Sequence, residues 1–367
     1  MSRARTVVLT PGVAGANGIA EVTRLVVRAL EAEDDGPPTT VLSIDRGPRG
    51  ASPVASDRAS PVAGGARFGP KLRFAAAALG AVTAGADDVV CLHVHLSPVA
   101  RLVARGRARL TVFLHGVEAW RPLGRAERWA LAGADVLMAN SAHTVERFRE
   151  ANRALAARPI DVCHLGVDPI GVDPAVGADA AGGPEAAGPF ALIVGRLAAA
   201  ERYKGHDLLI DLWPEIARRV PSSRLVVAGD GDDRARLEAR AAHLGDRVRF
   251  LGHVSPQTLA SVYRDALFFV MPSRAEGFGL VFLEAMRAGK ACIGALGAAA
   301  EIIEHGVTGL VVDPSDPGEV VEAVVRLFRE GETREQMGKA GAARLAAHFT
   351  EAHFRRRFGA ILARGAR

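Results

Sequence analysis

The chain alternates between short apolar, β-branched runs and longer stretches rich in Ala, Leu and Arg, and this alternation restricts its fold more than any other feature. Strands that are apolar throughout and separated by helices predict parallel sheets covered by helices on both faces. In the first half the strand candidates are Thr6–Leu9, Thr40–Ile44, Asp88–His93, Leu110–Leu114, Val136–Ala139 and Ile160–His164. In the second half they are Phe190–Val194, Arg224–Ala228, Val248–Leu251, Phe268–Met271, Ala291–Gly294 and Leu310–Val312.

Two such series predict two doubly wound α/β domains. The length of 367 residues agrees with this at ~150 residues per domain. We predict an N-terminal domain over residues 1–170, a Gly-, Pro- and Ala-rich linker over 171–189, a second domain over 190–348 and a final helical segment over 349–367. Because doubly wound domains bind ligands at the carboxyl ends of their strands, we expect the functional site in a cleft between the domains.

The composition excludes several classes of protein. At 49% hydrophobic and 24% charged residues, the chain is neither fibrous nor disordered. It contains no run of ~18 apolar residues, and its start at Arg3 and Arg5 lacks a secretory pattern, so we expect a cytoplasmic protein. Cys91, Cys163 and Cys292 lie far apart in apolar runs, which indicates reduced core thiols rather than disulfides or a zinc site.

The positive charge is concentrated in the first half. Residues 1–170 contain 21 Lys and Arg against 16 Asp and Glu, whereas residues 171–367 contain 25 of each. A Gly-, Pro- and Ser-rich segment carries six of the basic residues: Arg46, Arg49, Arg58, Arg67, Lys71 and Arg73. Two interpretations stay open, a solvated loop and a patch that contacts an anionic membrane or a pyrophosphate-bearing acceptor. Nucleic acid is disfavoured, since aromatic residues are only 5% of the chain.

The most specific motif is Glu276-Gly-Phe-Gly-Leu-Val-Phe-Leu-Glu284-Ala-Met, directly after the candidate strand Phe268–Met271. A strand, a glycine-bearing turn and a helix present backbone amides to an anion such as pyrophosphate, and Gly277 and Gly279 allow a close approach. Glu276 lies in the turn and Glu284 one to two turns into the helix, so the two carboxylates would address different parts of one extended ligand. For a single Glu here, the favoured interpretation would be a partner of the dipole at the helix start or a solvated residue.

The complete pattern resembles the retaining GT-B glycosyltransferases of family 4, whose signature is two glutamates separated by seven residues. The resemblance extends to Val194-Gly-Arg196-Leu, Lys204-Gly-His-Asp-Leu-Leu209 and Glu301-Ile-Ile-Glu-His-Gly306. It implies two Rossmann-like doubly wound parallel-sheet domains that face each other across a cleft. It also implies that Glu276 holds the donor sugar, that Glu284 holds the ribose hydroxyls, and that Arg196 and Lys204 hold the pyrophosphate. The further donor-binding candidates in this half are Val254, Gly277, Phe278, Gly279 and Leu280.

Candidates in the first half are fewer. Gly15, Asn17 and Gly18 belong to a glycine-rich turn between the first strand and a predicted helix over residues 19–30, where the family usually has a Gly-Gly pair. The exact phosphate contact there stays open. His115 ends the candidate strand Leu110–Leu114 and resembles the family's active-site histidine, with a buried structural histidine as the alternative.

The resemblance implies a hexosyltransferase that uses a UDP- or GDP-linked sugar and retains the anomeric configuration. We expect a saccharide acceptor that is lipid-linked, a role in envelope or exopolysaccharide synthesis, and peripheral membrane contact through the basic segment and the apolar residues 72–82. We expect no cofactor and no metal, because Arg196 and Lys204 supply the positive charge. The alternatives are a metal site at Asp230-Gly231-Asp232, a soluble small-molecule acceptor, a nucleotide-sugar epimerase, a phosphorylase and a non-catalytic binding module.

The end of the chain predicts one more helix, over Glu351–Arg364. Phe354, Phe358, Ile361 and Leu362 would share one of its faces. The resemblance implies that this helix returns to the N-terminal domain.

Overall fold

A computed structural model describes residues 5–13, 18–32, 39–44, 70–83, 85–104, 106–170 and 188–364. The chain divides into two units, one formed by Met1–Gly166 with Glu351–Arg367 and the other by Val167–Thr350. Each unit contains one six-stranded sheet in which all pairs of neighbouring strands are parallel. Most of the predicted linker, residues 171–187, lies outside the described residues.

The first unit has the strand order β2-β1-β3-β4-β5-β6. Its strands are β1 (Thr6–Thr10), β2 (Thr40–Ser43), β3 (Asp88–Cys91), β4 (Arg109–Leu114), β5 (Val136–Ala139) and β6 (Asp161–Val162). Its helices before the second unit are α1 (Gly18–Glu31), α2 (Pro70–Thr83), α3 (Ser97–Ala104), α4 (Arg125–Ala132) and α5 (Ala142–Ala151).

The second unit has the strand order β12-β11-β10-β7-β8-β9. Its strands are β7 (Phe190–Val194), β8 (Arg224–Ala228), β9 (Val248–Gly252), β10 (Phe268–Met271), β11 (Cys292–Ala295) and β12 (Gly309–Val312). Its helices are α6 (His206–Arg219), α7 (Arg234–Ala241), α8 (Pro256–Asp265), α9 (Leu280–Arg287), α10 (Ala299–Ile302), α11 (Pro317–Arg329) and α12 (Gly331–His348). The strand order reverses between β7 and β10, which makes their carboxyl ends the switch point where such sheets bind ligands.

The last helix, α13 (Glu351–Arg364), has the bounds that the sequence predicts and belongs to the first unit. Its Phe354, Phe358 and Ile361 are buried, and it packs against α1. The Arg28 guanidinium and the Glu351 carboxylate form an ion pair across this contact at 2.5 Å.

All twelve predicted strands are present, with differences at their ends. The third was predicted to reach His93, but β3 stops at Cys91 because the chain turns there into a 3-10 helix over Val94–Leu96. The sixth was predicted over Ile160–His164, but only Asp161 and Val162 pair with β5 at the sheet edge. The three cysteines are buried and free, as predicted, and burial raises the pKa of each thiol.

Helix α2 contains the apolar segment that was predicted to enter a membrane interface. Phe74, Ala78 and Val82 instead lie in the core of the first unit, because every fourth position faces the sheet, while Leu79 is 46% exposed. Among the described helices, none combines the length and hydropathy that a membrane span needs.

Candidate functional site

The switch point of the second unit brings two loops together. The Arg274 amide donates to the Tyr203 carbonyl at 2.8 Å, which ties the loop after β10 to the turn after β7. Gly205 directly precedes α6 and has a φ of +93°, and a Cβ there would lie 2.8 Å from the Pro272 carbonyl oxygen. Only glycine fits this close approach, which places Lys204 beside the carboxyl end of β10.

Arg196 and Lys204 share one acidic partner, Glu201. The Arg196 guanidinium bonds to one carboxylate oxygen of Glu201, and the Lys204 Nζ lies 2.8 Å from the other. The Glu201 side chain is only 13% exposed, whereas that of Arg196 is 59% exposed. Burial opposes ionisation of Glu201, but its bonds to the two cations hold its pKa below the usual value. The structure therefore groups both predicted phosphate-binding cations around a mostly buried anion.

Glu276 occupies the loop between β10 and α9 and is partly buried. Burial raises its pKa, while the charge of Lys204 and hydrogen bonds from the Phe278 and Gly277 amides oppose that rise. The local turn thus directs the carboxylate toward its own backbone amides, close enough to Lys204 for their charges to interact. Such a carboxylate can accept hydrogen bonds from sugar hydroxyls.

Helix α9 starts immediately after Gly279, whose φ is +96°. Leu280 is its first residue, so the first amides of α9 lie in the glycine-bearing turn predicted to approach an anion. The Phe278 side chain is only 2% exposed and its ring lies 6.2 Å from that of Phe349. Phe278 therefore anchors the turn in the core, and its ring does not face solvent.

Glu284 lies in the second turn of α9 and contacts α8. The Tyr263 hydroxyl donates to its Oε2 at 2.9 Å. Tyr263 is buried, and burial together with the Glu284 charge raises its pKa well above the usual value. The phenol therefore keeps its proton and serves as a donor to the carboxylate.

Other candidates of this unit lie on the same sheet edge. Val254 follows β9 and is partly exposed. In the turn after β8, Asp230 accepts from the Gly231 amide at 2.8 Å, and Asp232 accepts from the Ala199 amide at 2.9 Å. These two carboxylates brace loops. Within the described ranges, no three His, Cys, Asp or Glu side chains are grouped as a metal site would require.

His115 directly follows β4 in the first unit. The Glu118 carboxylate accepts from the His115 amide at 2.7 Å and from the Gly116 amide at 3.2 Å, which fixes the turn. Asn140 donates to the His115 carbonyl at 2.8 Å. Burial lowers the pKa of the imidazole to about 4, with the Glu118 charge opposing and His93 reinforcing the shift. His115 is therefore neutral at neutral pH, as either a hydrogen-bond donor or an acceptor.

The glycine-rich turn of the first unit is described only in part. Gly18 is the first residue of α1, and a Cβ placed on it would meet no non-neighbouring atom within 4 Å among the residues that the structure describes. Gly15 and Asn17 lie outside the described residues. The structure thus groups Arg196, Lys204, Glu276 and the start of α9 in one unit, and holds Gly18 and His115 in the other.

Sequence reasoning missed Glu201 and Tyr263. Glu201 stands three residues before Lys204, where it resembles an ordinary exposed acid, and Tyr263 is 21 residues from its partner Glu284. Only the folding of the turn after β7, and the packing of α8 beside α9, bring them to the site.

Comparison with known proteins identifies relatives for both halves. Residues 16–170 match the sequence profile of Glycosyltransferase Family 4, and residues 181–344 match that of Glycosyl transferases group 1. A similar protein is the GDP-mannose-dependent alpha-(1-6)-phosphatidylinositol monomannoside mannosyltransferase of Mycobacterium tuberculosis, 32% identical over 265 residues. This alignment covers 67% of this chain and 66% of that protein, so the chain spans about two thirds of its relative's length.

Solved structures share the fold. Sucrose-phosphate synthase from Thermosynechococcus elongatus superposes with a TM-score of 0.79 at 20% identity, over 99% of each chain. Anabaena HepE, solved in complex with UDP and glucose, gives a TM-score of 0.71 at 20% identity over 98% of this chain and 100% of that one. These likenesses confirm the predicted GT-B fold built from two Rossmann-like domains.

Proposed function

Because this chain belongs to family 4 of the glycosyltransferases, we propose that it transfers a hexose from a UDP- or GDP-linked donor to a saccharide acceptor, with retention of the anomeric configuration. The observation that carries this proposal is the grouping of Arg196, Lys204, Glu276 and the start of α9 at the switch point of the second unit.

The chemistry of the leaving group accounts for that grouping. Cleavage of the anomeric bond leaves a nucleoside diphosphate with additional negative charge, and fixed positive groups that meet this charge lower the barrier. Arg196 would bind phosphate oxygens with its planar fork, and Lys204 would do so as a compact ammonium. The amides at the start of α9 add a further partial positive charge. With these groups present, we propose that the reaction needs no metal ion.

The two glutamates and the histidine would bind different parts of the nucleotide-sugar donor. Glu276, braced by the Gly277 and Phe278 amides, would accept hydrogen bonds from hydroxyls of the hexose. Glu284 would accept those of the ribose. His115, neutral at neutral pH, would contact the sugar as a hydrogen-bonding group rather than as a charge.

The acceptor that we propose is a lipid-linked saccharide at a membrane surface, in envelope or exopolysaccharide synthesis. The mycobacterial relative is described as acting on phosphatidylinositol monomannoside, which is a lipid. The first half of this chain carries the whole excess of positive charge. Exposed apolar side chains on three neighbouring helices, Leu79 on α2, Leu102 on α3 and Trp129 on α4, agree with contact to such an acceptor.

Substitution of the donor-binding groups tests the proposal. Glu276→Gln and Lys204→Ala should each lower kcat by about 10² to 10³, since removal of one group that stabilises developing charge typically costs ~2.7 to 4 kcal/mol. Both variants should keep the melting temperature of the parent. The control is Lys339→Ala on the exposed face of α12, which should transfer normally. Normal turnover by either folded site variant would remove that residue from the site.

The same assay tests the reaction type. Nucleoside diphosphate release with a panel of UDP- and GDP-sugars identifies the donor, and proton NMR of the fresh product shows whether the anomeric configuration is retained. Activity should persist in EDTA. Inversion would contradict retention, and loss of turnover on chelation, restored by Mn²⁺ or Mg²⁺, would favour a metal site. Epimerised donor without transfer would indicate an epimerase.

A further inference from the structure

We infer that Tyr263 is a positioning residue for the ribose of the donor nucleotide, acting through its hydrogen bond to Glu284. This inference rests on the proposed function, because it takes Glu284 as the group that binds the ribose hydroxyls. It adds a residue that lies outside the sequence motif and that contacts the motif only in the folded chain.

The geometry carries the inference. Tyr263 lies in the last turn of α8, and its hydroxyl lies 2.9 Å from Glu284 Oε2 and 3.4 Å from the Val281 carbonyl oxygen. Its ring lies 6.0 Å from that of Phe269 on β10, and Phe269 in turn lies 5.3 Å from Phe282 on α9. The phenol therefore packs between β10 and α9, and only 3% of the residue is exposed. Its position is fixed by packing, not by its bond to Glu284.

A rigidly held hydrogen-bond donor restricts the positions that a flexible carboxylate can adopt. A glutamate side chain has three rotatable bonds, and ordering it costs conformational entropy. An ionised carboxylate has about four lone-pair sites. The bond from Tyr263 occupies one of them and restricts the positions that the Glu284 side chain can adopt. Tyr263 thus helps to set the direction from which the carboxylate meets a pair of ribose hydroxyls. Its high pKa keeps it a donor throughout the neutral range.

The variant Tyr263→Phe removes the hydroxyl and keeps the packed ring. Calorimetry would compare three probes: GDP and UDP in turn, the matching 2′,3′-dideoxynucleoside diphosphates, and inorganic pyrophosphate. We expect affinity for the ribonucleotide to fall by about threefold to tenfold, the range of one net hydrogen bond. Affinity for the dideoxynucleotide and for pyrophosphate should stay unchanged, because neither offers ribose hydroxyls.

A second variant separates this inference from the proposed function. Glu284→Ala should abolish the preference for the ribonucleotide, because it leaves no side-chain acceptor for the ribose hydroxyls. Adding Tyr263→Phe to it should cause no further loss, since the hydroxyl acts through the carboxylate. If Glu284→Ala keeps the full preference, the ribose role of Glu284 is wrong. If Tyr263→Phe keeps the full preference while Glu284→Ala loses it, or if Tyr263→Phe weakens binding of all three probes equally, Tyr263 is a packing residue and the inference is overturned.

Discussion

Glu201 places a negative charge between the two cations that the proposed diphosphate would contact. Its carboxylate is bonded to Arg196 and lies 2.8 Å from Lys204, and its side chain is mostly buried. Like charges within a few ångströms repel most strongly where water is excluded. We therefore predict that Glu201→Gln binds inorganic pyrophosphate more tightly, by about tenfold, which corresponds to ~1.4 kcal/mol. Calorimetry at low and high salt measures this change.

The matched control for Glu201 is Glu238→Gln. Glu238 also pairs with an arginine, Arg234, but it is exposed and lies on α7, so pyrophosphate affinity should not change. Weaker binding by Glu201→Gln would contradict the prediction and would mean that Glu201 chiefly holds Arg196 and Lys204 in place.

Two buried histidines, His115 in the first unit and His206 in the second, make the protein sensitive to acid. Burial lowers the pKa of each to about 4, against ~6.5 in an unfolded chain. Between these values the unfolded chain binds more protons, so the free energy of unfolding falls as the pH drops from about 6.5 towards 4. The slope is up to ~1.4 kcal/mol per pH unit for each histidine.

Urea unfolding at pH 7 and pH 5 measures this effect. His206→Met should reduce the acid sensitivity, because methionine does not titrate, whereas His243→Gln at an exposed position should leave it as in the parent. Equal sensitivity in all three proteins would show that other groups dominate acid unfolding.

At the scale of single residues, the sequence predicts which groups form the site better than how they are held. The resemblance selects Arg196, Lys204, Glu276 and Glu284. Arg196 and Lys204 follow β7, Glu276 follows β10 and Glu284 lies on α9, so the strand order brings these segments to one edge of the sheet. The partners Glu201 and Tyr263 depend on side-chain directions after folding, for which neither periodicity nor spacing provides a signal.

Helix α6 depends on the glycine that precedes it. Gly205 has a φ of +93°, and a Cβ there would lie 2.8 Å from the Pro272 carbonyl oxygen. We predict that Gly205→Ala lowers stability by at least ~1 to 2 kcal/mol, the cost of a left-handed backbone for an L-residue. Pyrophosphate affinity should fall too, because Lys204 is its neighbour. Thermal unfolding and calorimetry measure the two effects.

The matched control is Gly359→Ala within α13. In the described part of the chain, a Cβ at Gly359 would meet no non-neighbouring atom within 4 Å, and the φ of Gly359 is not positive. Alanine is the better helix former, so this change should stabilise the protein by ~0.5 to 1 kcal/mol. A stable, tightly binding Gly205→Ala variant would contradict the role of the close approach to Pro272.

Elements are more predictable than contacts in this chain. Strands β7, β8 and β10 have the predicted bounds because each is a short apolar run buried on both faces of the sheet. Such runs stand out in the sequence because helical stretches separate them. The predicted end of β3 was wrong because the apolar pattern continues past Cys91, where the chain already leaves the sheet. The turn that follows contains His93 and His95 and is held by a hydrogen bond from the His95 amide to the His93 ring, which the hydrophobic pattern does not indicate.

At the scale of the whole molecule, charge and exposed apolar surface both point to the first half. The side chains of the six basic residues between positions 46 and 73 lie outside the part of the chain that the structure describes, so their contribution to membrane binding stays a prediction from the sequence. Leu102 is 62% exposed and Trp129 is 43% exposed on the neighbouring helices α3 and α4. When apolar side chains enter the membrane interface beside basic groups, the burial of apolar surface and the attraction to anionic lipids both contribute to binding.

We predict that the protein sediments with vesicles of phosphatidylglycerol and phosphatidylcholine at low salt but not with phosphatidylcholine alone. Binding should weaken as salt rises, since the screening length shrinks from ~10 Å at 0.1 M to ~3 Å at 1 M. Replacing Arg46, Arg49, Arg58, Arg67, Lys71 and Arg73 with Gln should abolish most of it, and Leu102→Gln with Trp129→Gln should weaken the salt-resistant remainder. The control Leu296→Gln changes an exposed apolar residue of the second unit and should have no effect. If the unaltered protein stays in the supernatant with anionic vesicles at low salt, a soluble acceptor replaces the lipid-linked one, because nothing then holds the first unit at a membrane.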